Sequence, residues 1–177
     1  PALFVRYRKG LCKGMQNALK VIPQVHEEWA NRFGRSYAPL VEEYRLEDAE
    51  YAVVTIGSMT GAGKDAVDLA REAGEKAGLI KVKTFRPFPL EALRKSLSKV
   101  KAVGVVDRSV SFGWNSGPVY QELLSALYAL NQRIPAISFI GGLAGADITI
   151  EHFSRVIETT ARALKGEAVE GPIWLNE

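Results

Sequence analysis

A chain of 177 residues is long enough for one domain with its own core, and a net charge of only +3 gives no global pull toward nucleic acid. Apolar residues make up 47% and charged residues 24%, the balance of a soluble globular protein, and no apolar run approaches the ~18 residues of a membrane span. The single Cys12 excludes an intramolecular disulfide and fits a reducing cytoplasm, and with only His26 and His152 beside it no metal-ligand pattern forms.

The first 20 residues carry Arg6, Arg8, Lys9, Lys13 and Lys20 with no acid, and read as a solvated or subunit-facing segment rather than a transit peptide. Leu11, Met15, Leu19, Ile22, Val25, Trp29 and Phe33 then recur at steps of three and four, which places one apolar stripe on one helix face. Pro23 is expected to kink or split that helix, and Gly34 to stop it. Residues 35–50 read as a polar connector with Tyr37, Tyr44 and the acids Glu47, Asp48 and Glu50. Residues 1–50 are therefore expected to be a helical lead-in that packs on something, and 51–177 an α/β domain. A start at Pro1 without Met suggests a piece of something larger.

From Tyr51 the pattern is regular. Strands are expected at Tyr51–Gly57, Leu79–Phe85, Lys101–Asp107 and Ile134–Ile140, and helices at Lys64–Lys76, Leu90–Ser98, Pro118–Leu130 and Ile150–Lys165. Near-continuous apolar strands alternating with helices imply an open, mostly parallel sheet covered on both faces, with right-handed crossovers. Ligands in such sheets bind outside the carboxyl ends of the strands. Four loops belong there: Gly57–Gly63, Arg86–Pro89, Asp107–Gly117 and Gly141–Thr149. Their polar side chains are Ser58, Thr60, Arg86, Asp107, Arg108, Ser109, Ser111, Asn115, Asp147 and Thr149.

The first loop, in VVTIGSMTGAGKDA (residues 53–66), has the strand–glycine turn–helix form that cradles phosphate, because N–H groups at a helix N-terminus attract anions. Its side chains do not follow. Ser58 stands where a phosphate loop needs Gly, and Asp65 stands where the metal-binding Ser or Thr would follow Lys64. Gly61, Gly63 and Ala66 fit a dinucleotide fingerprint, but the next strand offers Lys81, Lys83 and Thr84 in place of the ribose-binding acid.

The other loops admit both a chemical and a structural reading. Arg108 could hold a carboxylate or phosphate with its bidentate fork, or Asp107 and Arg108 could pair with neighbouring loops while Ser116 caps the helix that Pro118 starts. Phe112 and Trp114, in a glycine-flanked loop, mark a contact surface. Phe85-Arg86-Pro87-Phe88-Pro89 is stiffened by two prolines and presents Arg86 rigidly. In GGLAGADIT (residues 141–149), Thr149 or Asp147 can cap the last helix, and the lone charge of Asp147 argues against a phosphate. No nucleophile–His pairing or G-x-S-x-G elbow assembles, so no catalytic residue is assigned.

The ordered set of loops is more telling than any one of them. GS-x-T-x-x-x-K at Gly57–Lys64, AGLIKVKTFRPFP at 77–89, VVDRSVSFG at 105–113 and GGLAGADIT at 141–149 resemble the 2-oxoacid:ferredoxin oxidoreductase family, as does the lead-in GMQNALKVIPQVHEEWANRFGRSY. The resemblance is to the α subunit's C-terminal, transketolase-C-like domain (domain II) of enzymes such as pyruvate:ferredoxin oxidoreductase (pyruvate synthase). It implies oxidative decarboxylation of a 2-oxoacid to an acyl-CoA in a cytoplasmic complex, with ferredoxin and CoA as its partners. Thiamine diphosphate, Mg and iron–sulfur clusters are expected on other domains or subunits and none on this chain. It also implies a non-catalytic, subunit-packing role, with Arg86, Phe88, Arg108, Phe112 and Trp114 as interface candidates. Ala146 departs from the pattern, standing where the family carries Arg. The alternative is an independent domain binding a small anion or CoA through Ser58, Thr60, Arg86 and Arg108, and a third reading is the matching domain of a transketolase or a 2-oxoacid dehydrogenase E1 component.

Overall fold

The computed structural model describes every residue except 129, 131 and 132. The lead-in is a single 32-residue helix, α1 (Ala2–Phe33), closed by Gly34 in the left-handed conformation that glycine adopts freely. Pro23 lies inside it and does not split it, contrary to one of the two expected outcomes. A proline removes one N–H from a ladder of many, and the turns on either side keep theirs. No residue of α1 is buried, and of its stripe Leu11, Met15, Val25, Trp29 and Phe33 are exposed while Leu19 and Ile22 are half-buried.

The strands are β1 (Val41–Tyr44), β2 (Tyr51–Ile56), β3 (Ala77–Val82), β4 (Ala102–Asp107), β5 (Ala136–Ile140) and β6 (Ile173–Trp174). The helices after α1 are α2 (Thr60–Glu72), α3 (Leu90–Leu97), α4 (Pro118–Tyr128) and α5 (Ile150–Leu164). All four expected strands and helices of the domain are present. The expected end of the α4 segment, beyond Tyr128, runs into position 129, outside the described residues.

The sheet order is β1-β3-β2-β4-β5-β6, with β1 antiparallel to β3 and the other neighbours parallel. The connector expected at 35–50 thus contributes an edge strand. Leu46 and Ala49 follow it into the core, and Gly78 makes room for them: a Cβ there would stand 2.9 Å from a carbon of each. Arg71 of α2 fixes this corner by donating to Ala77 O (2.7 Å), Arg45 O (2.6 Å) and Asp48 Oδ1 (2.7 Å).

Two apolar clusters sandwich the sheet. One joins α2 and α5 to Val53, Leu79, Val106 and Phe139, and the other joins α3 and α4 to Val54, Ile80, Val103 and Val105. Every residue of β4 is buried, which explains why the central strands read as continuous apolar runs. The placement of the helices also corrects the expected uniform handedness. The steps β3→β4, β4→β5 and β5→β6 run the same way across the sheet, yet α5 lies on the opposite face from α3 and α4. The β5–α5–β6 connection therefore takes the opposite hand to the others. The rule arises where a helix packs over the strands it joins. Here α5 packs over β4, where Thr160 and Val156 press on Gly104, and β6 is two residues long.

A Cβ on Gly104 would lie 2.4 Å from Thr160 Oγ1 and 3.0 Å from a Val156 methyl, whereas one on Gly61, in the first turn of α2, meets nothing within 4 Å. Urea unfolding should show Gly104→Ala destabilised by about 1–3 kcal/mol through overpacking, and Gly61→Ala unchanged or stabilised by about 0.4–1 kcal/mol. Equal effects of the two would refute this packing.

Candidate functional site

The strand order reverses between β2 and β4, since β2 leads outward to β3 on one side and β4 to β5 on the other. The loops after these two strands form the crevice where such folds bind ligands. In this chain the crevice is braced by its own side chains.

Asp107, the last residue of β4, is 1% exposed and accepts the N–H groups of Val119 (2.9 Å to Oδ1) and Tyr120 (3.1 Å to Oδ2). It caps α4 from inside the fold, a task the sequence had suggested for Ser116. Ser116 Oγ instead accepts from Gln121 Nε2 at 3.0 Å. Gly117 is required at the contact, because a Cβ there would sit 2.0 Å from the Asp107 carboxyl carbon. Burial pushes the Asp107 carboxyl up to about 6, against the opposing pull of the two N–H groups.

Arg108, Arg86 and Thr60 are similarly engaged. Arg108 donates from Nε and Nη2 to Gly142 O at 3.3 and 3.2 Å, tying the β4 loop to the β5 loop. Asn176 straps the same loop, accepting from Gly142 N (2.6 Å) and donating to Asp147 O (2.9 Å). Arg86 pairs with Glu122 of α4 at 2.5 Å, donates to Phe85 O at 2.7 Å and lies 4.3 Å above the Phe85 ring. Phe88 is half-buried and meets Phe85 edge-on, so it faces its own domain. Thr60 is buried, donating to Gly57 O (2.8 Å) and sharing a hydrogen bond with Thr55 (2.9 Å). Of the four candidate anion ligands, Ser58 alone has an exposed side chain with no hydrogen bond among the described residues, while its carbonyl accepts from Gly61 N at 3.2 Å within the turn.

The glycine turn is explained by packing. Gly57 takes φ 77°, and a Cβ on Gly63 would press on Leu79 at 2.8 Å and on the Phe153 ring at 3.2 Å. Lys64 leaves the turn altogether, pairing with Glu42 on β1 and lying 5.0 Å over the Tyr44 ring. At the last loop, the Thr149 N–H donates to His152 Nδ1 at 3.0 Å, so His152 closes the N-terminus of α5. That role had no signal beyond the three-residue spacing of a capping box.

Ser111 and Ser116 pair across the loop after β4, with Ser111 N donating to Ser116 O at 2.8 Å, and the turn between them lifts Phe112 and Trp114 into solvent at 91% and 78% exposure. The residues present do not fit thiamine diphosphate or a cluster. The crevice arginines are already bonded within the chain, and among the described residues no group of three or more His, Cys, Asp or Glu could hold a metal.

The sequence model of pyruvate:ferredoxin oxidoreductase core domain II matches residues 49–153, more than half of the chain. The chain belongs to that family. It is 68% identical over its whole length to the α subunit of the NADH-dependent phenylglyoxylate dehydrogenase of Aromatoleum evansii, covering 43% of that subunit. It is 40% identical over 153 residues to pyruvate synthase subunit PorA of Methanosarcina barkeri, covering 86% of this chain and 38% of that subunit. The chain thus spans less than half the length of these curated relatives. Two solved structures share the fold: a 2-oxoglutarate:ferredoxin oxidoreductase from Magnetococcus marinus (TM-score 0.50, 20% identity, 70% of this chain and 20% of that one) and a split-gene transketolase (TM-score 0.56, 15% identity, 71% and 43%). The expected transketolase-C-like α/β class is correct, and the relatives it matches are oxidoreductase subunits.

The raised Asp107 pKa has a defined sign. Its contribution to stability is fully present below about pH 4 and is lost as pH rises through about 6, because the folded state holds the proton more tightly. The shift from 3.8 corresponds to a loss on the order of 3 kcal/mol across that window. Denaturant unfolding at pH 4 and pH 7 should show the natural chain losing this much stability relative to Asp107→Asn as pH rises, the other carboxyls being common to both. Parallel pH profiles would refute the assignment.

Proposed function

We propose that this chain is a non-catalytic packing domain within a 2-oxoacid oxidoreductase, holding other domains or subunits in place around an active site it does not itself supply. The supporting observation is a contrast. The crevice where this fold class carries ligands is braced by Asp107, Arg108, Arg86 and Thr60, while large apolar side chains stand outside: Phe112, Trp114 and the α1 stripe ending in Trp29 and Phe33. Exposed aromatics in that number suit surfaces that are covered in an assembly.

The reaction proposed for the whole enzyme is conversion of a 2-oxoacid and CoA to an acyl-CoA, carbon dioxide, a proton and two electrons. Thiamine diphosphate, Mg and iron–sulfur clusters would be carried by its other parts. The 68% identity to a phenylglyoxylate dehydrogenase subunit, against 40% to pyruvate synthase, favours an aryl 2-oxoacid over pyruvate. The same relative is NADH-dependent, which favours a nicotinamide over ferredoxin as the electron partner. The alternative reading, an independent binder of small anions or CoA, loses three of its four proposed ligands to internal bonds, and calorimetry with CoA, nucleotides and 2-oxoacids would detect it if it holds.

Size-exclusion chromatography of the native enzyme tests the packing role. Phe112→Ser combined with Trp29→Ser should lower recovery of this chain in the complex about tenfold or more, with its melting temperature in isolation unchanged, as expected for exposed residues. Full assembly and full activity of that variant would refute the role.

A further inference from the structure

A cleft of about 520 Å³ lies between the first turns of α4, the outer edge of β5 and the Val169–Pro172 stretch that precedes β6. Its size is that of a small-molecule site. Trp114, Leu124 and Pro172 supply apolar walls, Gln121 supplies an amide, and none of the lining residues is charged. A charged molecule entering it would lose water without gaining a counter-charge.

The shape of the edge decides what kind of occupant fits. Because β6 pairs only with Phe139 and Ile140, the first half of β5 has β4 on its inner side and no strand on its outer side. It is nevertheless closed to an added peptide strand. Tyr120 Oη donates to Ala136 O at 3.2 Å, and Gly171 stands over Ser138 so closely that a Cβ on it would lie 3.4 Å from Ser138 O and 3.6 Å from Ser138 N. A compact molecule can enter where an extended backbone cannot.

The cleft also holds an unanswered polar group. Ser138 lines it, is 4% exposed, and its Oγ is buried with no hydrogen-bond partner among the described residues. Buried hydroxyls are nearly always paired, and one left alone calls for a partner that is missing. Rotation about its single χ1 re-aims the hydroxyl between staggered positions.

We propose that this cleft binds a small uncharged molecule with a flat apolar body and one hydrogen-bonding group, such as a neutral aryl amide. The ring would lie against Trp114, Leu124 and Pro172, and the polar group would meet Ser138 Oγ. This site is separate from the packing role. Trp114 serves both, so the variants that test the cleft leave it intact.

Amide chemical shifts of the isotope-labelled full chain, titrated with benzamide, benzoate and benzylamine, test the proposal. Benzamide should shift Ser138 and Gly171 and saturate in the millimolar range, with benzoate and benzylamine at least tenfold weaker. Leu124→Arg, at an exposed position, should abolish the shifts, and the small change Ser138→Ala should weaken binding threefold or more. Absence of shifts with all three probes, equal binding of the charged ones, or binding unchanged in either variant would overturn it. Each of these outcomes is independent of whether the chain assembles with partners.

Discussion

The Asp107 carboxylate accepts two N–H groups from the first turn of α4 while lying almost wholly inside the protein, and the geometry around the crevice follows from that contact. A buried carboxylate needs its lone pairs filled, and a helix N-terminus supplies both N–H donors and the favourable end of its dipole. The approach is close enough that only glycine fits at 117. With β4 and α4 joined in this way, residues 111–116 must reverse in a short span. Gly113 at φ 87° and Asn115 at φ 46° make that reversal, and its tip carries Phe112 and Trp114 outward. One residue further along, Arg108 draws in the β5 loop, and Asn176 holds that loop from the C-terminal side. A chain of contacts thus runs from β4 to α4, to the β5 loop and to the last residues, and it engages the side chains of both Asp107 and Arg108.

The loop that carries Ala146 belongs to the same scheme. The loop Gly141–Thr149 already has a guanidinium on it, supplied by Arg108 from the neighbouring strand. Ala146 is half-buried, and its N–H closes a turn onto Leu143 O at 3.0 Å.

Legibility in the sequence followed burial. β2, β3, β4 and β5 are covered on both faces, and their apolar runs announced them. β1 is Val-Glu-Glu-Tyr at the edge of the sheet, where Glu42 and Glu43 are held by Lys64, Lys99 and Ser96, so it read as part of a polar connector. β6 is two residues long and carries no period at all. The cap of α4 was invisible for a different reason. Local rules look for it immediately before the helix, and it came from a strand end eleven residues before Pro118. The orphan hydroxyl of Ser138 could not be read either, because it depends on what β6 leaves uncovered.

The glycine turn after β2 shows how one local form can serve two ends. In a nucleotide-binding fold, glycines in this position give room for phosphate and for close helix–strand packing at the same time. Here the packing use is visible. Gly63 lets α2 settle against Leu79 and Phe153, Thr60 holds the turn from within, and Lys64 has moved its charge to the far edge strand. Packing constrains backbone shape, whereas phosphate binding constrains side chains, so the turn keeps its shape when only the packing is retained. A domain that braces the crevice with its own polar groups and turns its aromatics outward has the surface the proposed packing role requires.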